Sequence, residues 1–77
     1  MIEELASVVL ATDMPECGLQ AGDIGTVVLV HQHGQGYTVE FMTLSGETIA
    51  VVTLAADEVR LIRPNEIAHV RELVATS

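Results

Sequence analysis

Residues 19–30 read LQAGDIGTVVLV and decide the predicted fold. Gly22 and Gly25 bracket an Asp-Ile pair, and a run of β-branched and aliphatic residues follows them. Glycine permits the backbone angles of a tight turn, whereas β-branched side chains favour an extended, half-buried strand. The stretch therefore predicts a loop that leads into a strand from Ile24 to His31.

Four further segments have strand character, at residues 7–12, 37–42, 48–54 and 59–62. In the second of these, three apolar residues alternate with Thr, Glu and Met, which is the pattern of a half-buried strand. A single 3₁₀ turn is predicted at residues 55–58, before the last strand. Five short strands with a long loop between the first two predict an all-β fold, a small five-stranded SH3-like barrel over residues 1–63.

The last part of the chain, residues 64–77, is expected to add a short C-terminal helix. Asn65 is a favourable N-cap, and Glu66 lies in the first turn, where the helix dipole favours an anion. Ile67, Val70 and Val74 follow at helical spacing. A frayed tail is the alternative, because isolated helices of this length are marginally stable.

Charge is the most unusual bulk property of the 77 residues. Eleven acidic residues stand against three arginines and no lysine, which gives a formal net charge of -8. Arg60, Arg63 and Arg71 all lie near the C-terminus, where they either balance the chain's own acids or face a partner carboxylate. Such a surface repels nucleic acids and anionic membranes and attracts a basic protein. Alternatively, the acidity only keeps a small apolar domain soluble.

Cysteine usage and hydropathy place the chain in a reducing compartment. The single cysteine, Cys17, excludes an internal disulfide. The N-terminus lacks the basic and apolar regions of a signal peptide, and no apolar run approaches the roughly 20 residues of a membrane span. We therefore expect a cytoplasmic protein.

The spacing of several motifs resembles that of a known family. Residues 13–28 carry the pattern D-x-P-E-x-G-L-x-x-G-D-x-G-T-V-V, followed by Y-x-V-E-F at residues 37–41 and G-x-T at residues 46–48. This combination resembles a family of small bacterial proteins of unknown function, common in cyanobacteria, for which an SH3-like barrel is expected. Some members are encoded beside small toxin-like proteins, so the resemblance implies an antitoxin or immunity role. It supplies no catalytic residues.

Aspartate, histidine and cysteine side chains carry the chemistry of many proteins, and this chain has several of them. Asp13 and Asp23 flank the long loop and are expected to cap its turns by accepting bonds from backbone N–H groups. His31 and His33 share a strand face, and the alternative interpretation is that they are two ligands of a metal site. Further ligands are missing nearby in the sequence. The acidic neighbours of Cys17 disfavour a reactive thiolate. No catalytic, cofactor or metal site is therefore predicted.

The strands also carry more apolar surface than one small barrel buries, because two of them are apolar on both faces. The C-terminal helix, a second copy in a homodimer, or another protein is expected to cover it. We expect a non-enzymatic, acidic protein-binding module that neutralises a co-encoded basic toxin. A structural subunit of a larger assembly and a small metal-binding protein are the alternatives. The candidate partner-binding residues are Asp13, Glu16, Leu19, Asp23, Ile67, Val70 and Val74.

Overall fold

The computed structural model describes residues 2–73 and contains five strands and two 3₁₀ turns. The strands are β1 (Ser7–Leu10), β2 (Ile24–His31), β3 (Gly36–Met42), β4 (Thr48–Ala55) and β5 (Val59–Leu61). The 3₁₀ turns span Pro15–Cys17, in the β1–β2 loop, and Ala56–Glu58, before β5. The all-β class and the five predicted strands are confirmed. The first strand ends earlier than predicted, since residues 11–12 lie outside it.

All five strands belong to one antiparallel sheet with the order β4-β3-β2-β1-β5. Neighbouring strands β2, β3 and β4 form successive hairpins, and β5 returns to pair with β1. Among the residues described, β4 and β5 do not pair with each other, so the sheet is open and its two edges are these strands. A closed barrel was expected, and closure is not observed.

The inner face of the sheet holds the hydrophobic core. Alternate residues of β3, Tyr37, Val39 and Phe41, are buried, whereas the residues between them are not. They pack with aliphatic residues from the other four strands and with Leu19 from the β1–β2 loop. The half-buried character predicted for this strand is confirmed.

A β-bulge in β2 interrupts the alternation of buried and exposed residues along that strand. Val27 pairs with Val39 and Leu29 pairs with Thr38, so Val28 is the extra residue between the two pairs. A bulge places two consecutive residues against one partner residue. Val28 and Leu29 are consequently both exposed, while Val27 is fully buried.

The predicted C-terminal helix is wrong for the residues that the structure describes. Residues 66–73 are irregular, and the one backbone hydrogen bond here joins the N–H of Glu66 to the carbonyl of Arg63. A short helix needs an apolar face packed on the domain, yet Ile67 and Val70 are 94% and 71% exposed. Val74 lies outside the described residues.

Within residues 2–73, no helix is long and apolar enough to cross a membrane.

Candidate functional site

The β1–β2 loop, residues 11–23, is held in shape by two aspartates. Asp13 Oδ1 accepts a hydrogen bond from the backbone N–H of Ala21 at 2.8 Å, and Asp23 Oδ2 accepts one from that of Gln20 at 2.9 Å. Within the loop, an antiparallel bridge between Met14 and Leu19 encloses the 3₁₀ turn Pro15–Cys17. The predicted capping role of both aspartates is confirmed.

Asp23 has a second role, because it binds the guanidinium of Arg71. Arg71 Nε donates to Asp23 Oδ1 at 2.8 Å, and Nη2 donates to Oδ2 at 2.6 Å. Nη2 also donates to the carbonyl of Gly18 at 3.1 Å. The hydrogen bond from Arg71 holds the pKa of the Asp23 carboxyl below its ordinary value, although partial burial opposes the change.

A second bidentate pair fixes the start of the C-terminal segment, which we define as residues 62–73. Arg60 donates from Nη1 and Nη2 to the two carboxylate oxygens of Glu66, at 2.9 and 2.6 Å. Glu66 Oε1 also accepts the backbone N–H of Arg63 at 2.7 Å. These interactions, led by that with Arg60, lower the pKa of Glu66 to about 2. The C-terminal segment is thus attached at two points, to β5 through Arg60 and to the β1–β2 loop through Asp23.

We predict that Asp23→Asn weakens the fold at neutral pH but not in strong acid. Because the pKa of Asp23 is lowered in the folded state, its pairing stabilises the fold above the unfolded-state value of about 3.9 and is lost as the pH falls through the folded-state value. The expected loss at pH 7 is about 1 kcal/mol, the upper end for pairs that are partly exposed. Urea unfolding of both proteins from pH 7 to pH 2 measures it.

Asp57→Asn is the matched control, because Asp57 makes no ion pair among residues 2–73. Its unfolding midpoint is expected to stay close to that of the unchanged protein at pH 7. An Asp23→Asn deficit of the same size at pH 2 and pH 7 would contradict the ion-pair explanation.

The C-terminal segment lies between two surface clefts, and Arg71 lines both of them. The first, of about 310 Å³, lies against β1 and β2, and its lining includes Val9, Ile24 and Ile67. The second, of about 680 Å³, lies against the β1–β2 loop. It is lined by Asp13, Pro15, Glu16, Cys17, Gly18, Leu19, Gln20, Ile49, Arg71 and Leu73. The second cleft therefore combines apolar walls with two exposed carboxylates.

The structure brings together much of the predicted partner-binding set. Asp13, Glu16 and Leu19 line the second cleft, whereas Asp23 and Ile67 line the first. Leu19 is only 2% exposed and belongs to the core, so it supports the loop from below. Val70 is exposed but lines neither cleft.

The histidines and the cysteine contribute no metal cluster among the described residues. No three His, Cys, Asp or Glu side chains lie together there. His31 Nε2 instead hydrogen-bonds to Thr38 Oγ1 at 2.7 Å, and that hydroxyl contacts Thr53 Oγ1 at 3.1 Å. These hydrogen bonds connect β2, β3 and β4 across the outer face of the sheet. None of the three residues lines either cleft.

The sequence did not reveal which acids the arginines bind. Asp23 and Arg71 are separated by 48 positions, and nothing in their local patterns connects them. The available signal was the concentration of all three arginines after position 59 in a chain of net charge -8. That imbalance favoured pairing within the chain, and two of the three arginines do pair there.

Comparison with known proteins gives one result. A model of a domain of unknown function, DUF4926, matches residues 4–61. These residues include all five strands and the loop that carries Asp13 and Asp23, while the C-terminal segment follows them. No curated protein and no solved structure matched the chain. Because the match covers most of its length, the chain belongs to the DUF4926 family.

Proposed function

We propose that this protein is a non-enzymatic, acidic protein-binding module that neutralises a co-encoded basic toxin. The observation that carries the proposal is the second cleft, in which the carboxylates of Asp13 and Glu16 stand beside apolar walls. We also propose that the sheet belongs to the SH3-like barrels. The strand order, the long β1–β2 loop and the 3₁₀ turn before β5 support that assignment.

The charge distribution favours a basic partner. Among the residues described, Asp23 and Glu66 alone form ion pairs, although the chain has eleven acidic residues. Most of the negative charge is therefore not neutralised by neighbouring side chains. A field of this sign speeds the approach of a basic protein and repels nucleic acids.

The second cleft matches the chemistry of a lysine or arginine side chain. Such a side chain has an apolar stem that packs on apolar surface and a cationic head that seeks an anion. Pro15 and Ile49 offer apolar surface, and the Asp13 and Glu16 carboxylates offer the anion. A binding role is preferred to catalysis because neither cleft contains a histidine beside a hydroxyl or thiol at hydrogen-bond distance among the described residues.

The proposal is tested by purifying the protein with its genetic neighbour and measuring their affinity. We expect the double variant Asp13→Asn and Glu16→Gln to bind about tenfold more weakly, about 1.4 kcal/mol, mainly through slower association. Asparagine at position 13 retains an oxygen for the Ala21 N–H, so the loop keeps its cap.

The matched control is the double variant Glu3→Gln and Glu4→Gln, which removes the same charge from the segment before β1. It is expected to retain most of the affinity at physiological salt, because neither residue lines the first or the second cleft. Equal losses in the two double variants would indicate a net-charge effect without a defined site. Absence of any complex with the neighbour at physiological salt would refute the toxin-neutralising role.

One observation favours the second candidate, a structural subunit of a larger assembly or a homodimer. The edge strand β4 has the sequence TIAVVTLA, with no charge and no proline. Edge strands that must stay unpaired usually carry a charged residue or a proline, because these residues prevent pairing with another chain. Val51 is 55% exposed on this strand. A stable monodisperse monomer in light scattering would count against this candidate.

A further inference from the structure

We infer that Asp23 and the Gly18 carbonyl form a receptor for an arginine guanidinium, which the C-terminal segment occupies with Arg71 until an arginine of a partner replaces it. That the partner is a basic toxin rests on the proposed function, whereas the receptor itself does not.

The receptor is built by the domain without help from the C-terminal segment. Asp23 is fixed by its side-chain bond from the Gln20 N–H and by its own N–H donating to the Gln20 carbonyl at 3.0 Å. Its carbonyl accepts from the Leu10 N–H at 2.8 Å, which joins it to β1. Both Gly18 and Asp23 lie within the residues that match the family model, while Arg71 lies beyond them. A carboxylate held in this way needs no reorganisation to receive a guanidinium.

The contacts select arginine over lysine. The guanidinium binds both carboxylate oxygens through Nε and Nη2, and Nη2 also reaches the Gly18 carbonyl. A planar fork of donors fits two oxygens of one carboxylate, whereas an ammonium is a single point charge. The ligand chemistry is therefore a guanidinium and not a cation in general.

The C-terminal segment is held loosely enough to be displaced. Residues 67–73 make no backbone-to-backbone hydrogen bond within the described part of the chain. Ile67 is 94% exposed and contributes little packing. Beyond Glu66, and as far as residue 73, the Arg71 side chain makes all the hydrogen bonds that attach this segment to the rest of the domain, and its partners lie in the β1–β2 loop.

Displacement would also enlarge the binding surface. Ile67, Ala68 and His69 form one wall of the first cleft, and Leu73 forms part of the second. Because the same segment lines both clefts, release of Arg71 would uncover the apolar surface of the domain in both clefts at once. A partner that inserts an arginine therefore gains apolar surface on either side of the receptor.

The test uses the Arg71→Ala variant of the full chain, with Nα-acetyl-arginine amide as the probe. Binding is monitored through the backbone amide NMR signals of Gly18 and Gln20. We expect saturable shifts in this variant with a dissociation constant of about 1–10 mM. In the unchanged protein the same probe should bind about fivefold more weakly, because tethered Arg71 competes for the same oxygens at an effective concentration of roughly four times that dissociation constant, within the millimolar range of short tethers. Nα-acetyl-lysine amide, whose side-chain ammonium is free, is expected to give much smaller shifts in the variant.

Arg71→Lys is the second variant, because it keeps the charge and loses the fork; it should expose the receptor in the same way. Adding Asp23→Asn to Arg71→Ala should abolish the shifts. The inference is overturned if the probe gives no shift in either arginine variant, if lysine and arginine amides act alike, or if the unchanged protein binds as well as Arg71→Ala. None of these results involves the toxin, so a receptor that binds arginine while no basic protein binds would refute only the proposed function.

Discussion

Replacing Phe41 with alanine is expected to lower the free energy of unfolding by about 3–5 kcal/mol. Phe41 is the largest of the fully buried side chains, at 2% exposure, and it lies on β3 in the middle of the core cluster. The chain has two aromatic residues in all, Tyr37 and Phe41, and truncation of Phe41 to alanine leaves a cavity among aliphatic side chains. At roughly 0.05–0.15 kcal/mol per residue, a domain of 77 residues has about 4–12 kcal/mol of stability in all, so this loss is a large fraction of it.

Urea unfolding followed by circular dichroism measures the change. Met42→Ala is the matched control, because Met42 is the next residue on the same strand and is 45% exposed. It should shift the unfolding free energy by well under half as much. Phe41→Leu, which keeps most of the volume, should fall between the two. Equal losses at positions 41 and 42 would mean that this side chain does not anchor the core.

The strands were predictable because their signal is local. In β3, the alternation of Tyr37, Val39 and Phe41 with polar residues is a direct consequence of side chains pointing to opposite faces. In β2, the β-branched run identified the strand but could not locate the bulge at Val28. The bulge depends on the register with β3, and register is a property of two segments.

The C-terminal segment was not predictable, because competing interactions decide its conformation. Asn65 and Glu66 have the sequence character of a helix start, but the Glu66 carboxylate binds Arg60 and the Arg63 N–H. The spacing of Ile67 and Val70 was interpreted as a buried helical face, yet both are exposed. Helical periodicity stabilises a helix only when a surface receives the apolar face. Here the β1–β2 loop binds the segment through Arg71.

The candidate site was predicted only in part, because some of its contacts are local in sequence and others are not. The capping roles of Asp13 and Asp23 follow from short-range turn chemistry and are observed. The ion pair between Asp23 and Arg71 joins the loop to a residue 48 positions away. It gives Asp23 a role in addition to capping the loop. This carboxylate is already occupied in the free chain, whereas Asp13 and Glu16 make no ion pair among the described residues.

The two glycines within residues 19–30, Gly22 and Gly25, serve different structural purposes. Gly22 has a φ of +99°, and a Cβ there would meet nothing within 4 Å. At Gly25, a Cβ would lie 2.6 Å from Val39 Cγ1 and 2.9 Å from the carbonyl oxygen of Glu40. Val39 is fully buried and cannot move aside. Gly25→Ala is therefore expected to cost about 1–3 kcal/mol through overpacking, measured by urea unfolding.

Asparagine separates crowding from backbone strain. At Gly25, Gly25→Asn should cost more than Gly25→Ala, because the larger side chain meets the same buried strand. Gly46 is the control, since it has a φ of +94° and open space around it. There, Gly46→Asn should cost less than Gly46→Ala, because asparagine tolerates positive φ better than alanine. The same order of the two substitutions at both positions would show that close packing of β2 on β3 is not what requires glycine at position 25.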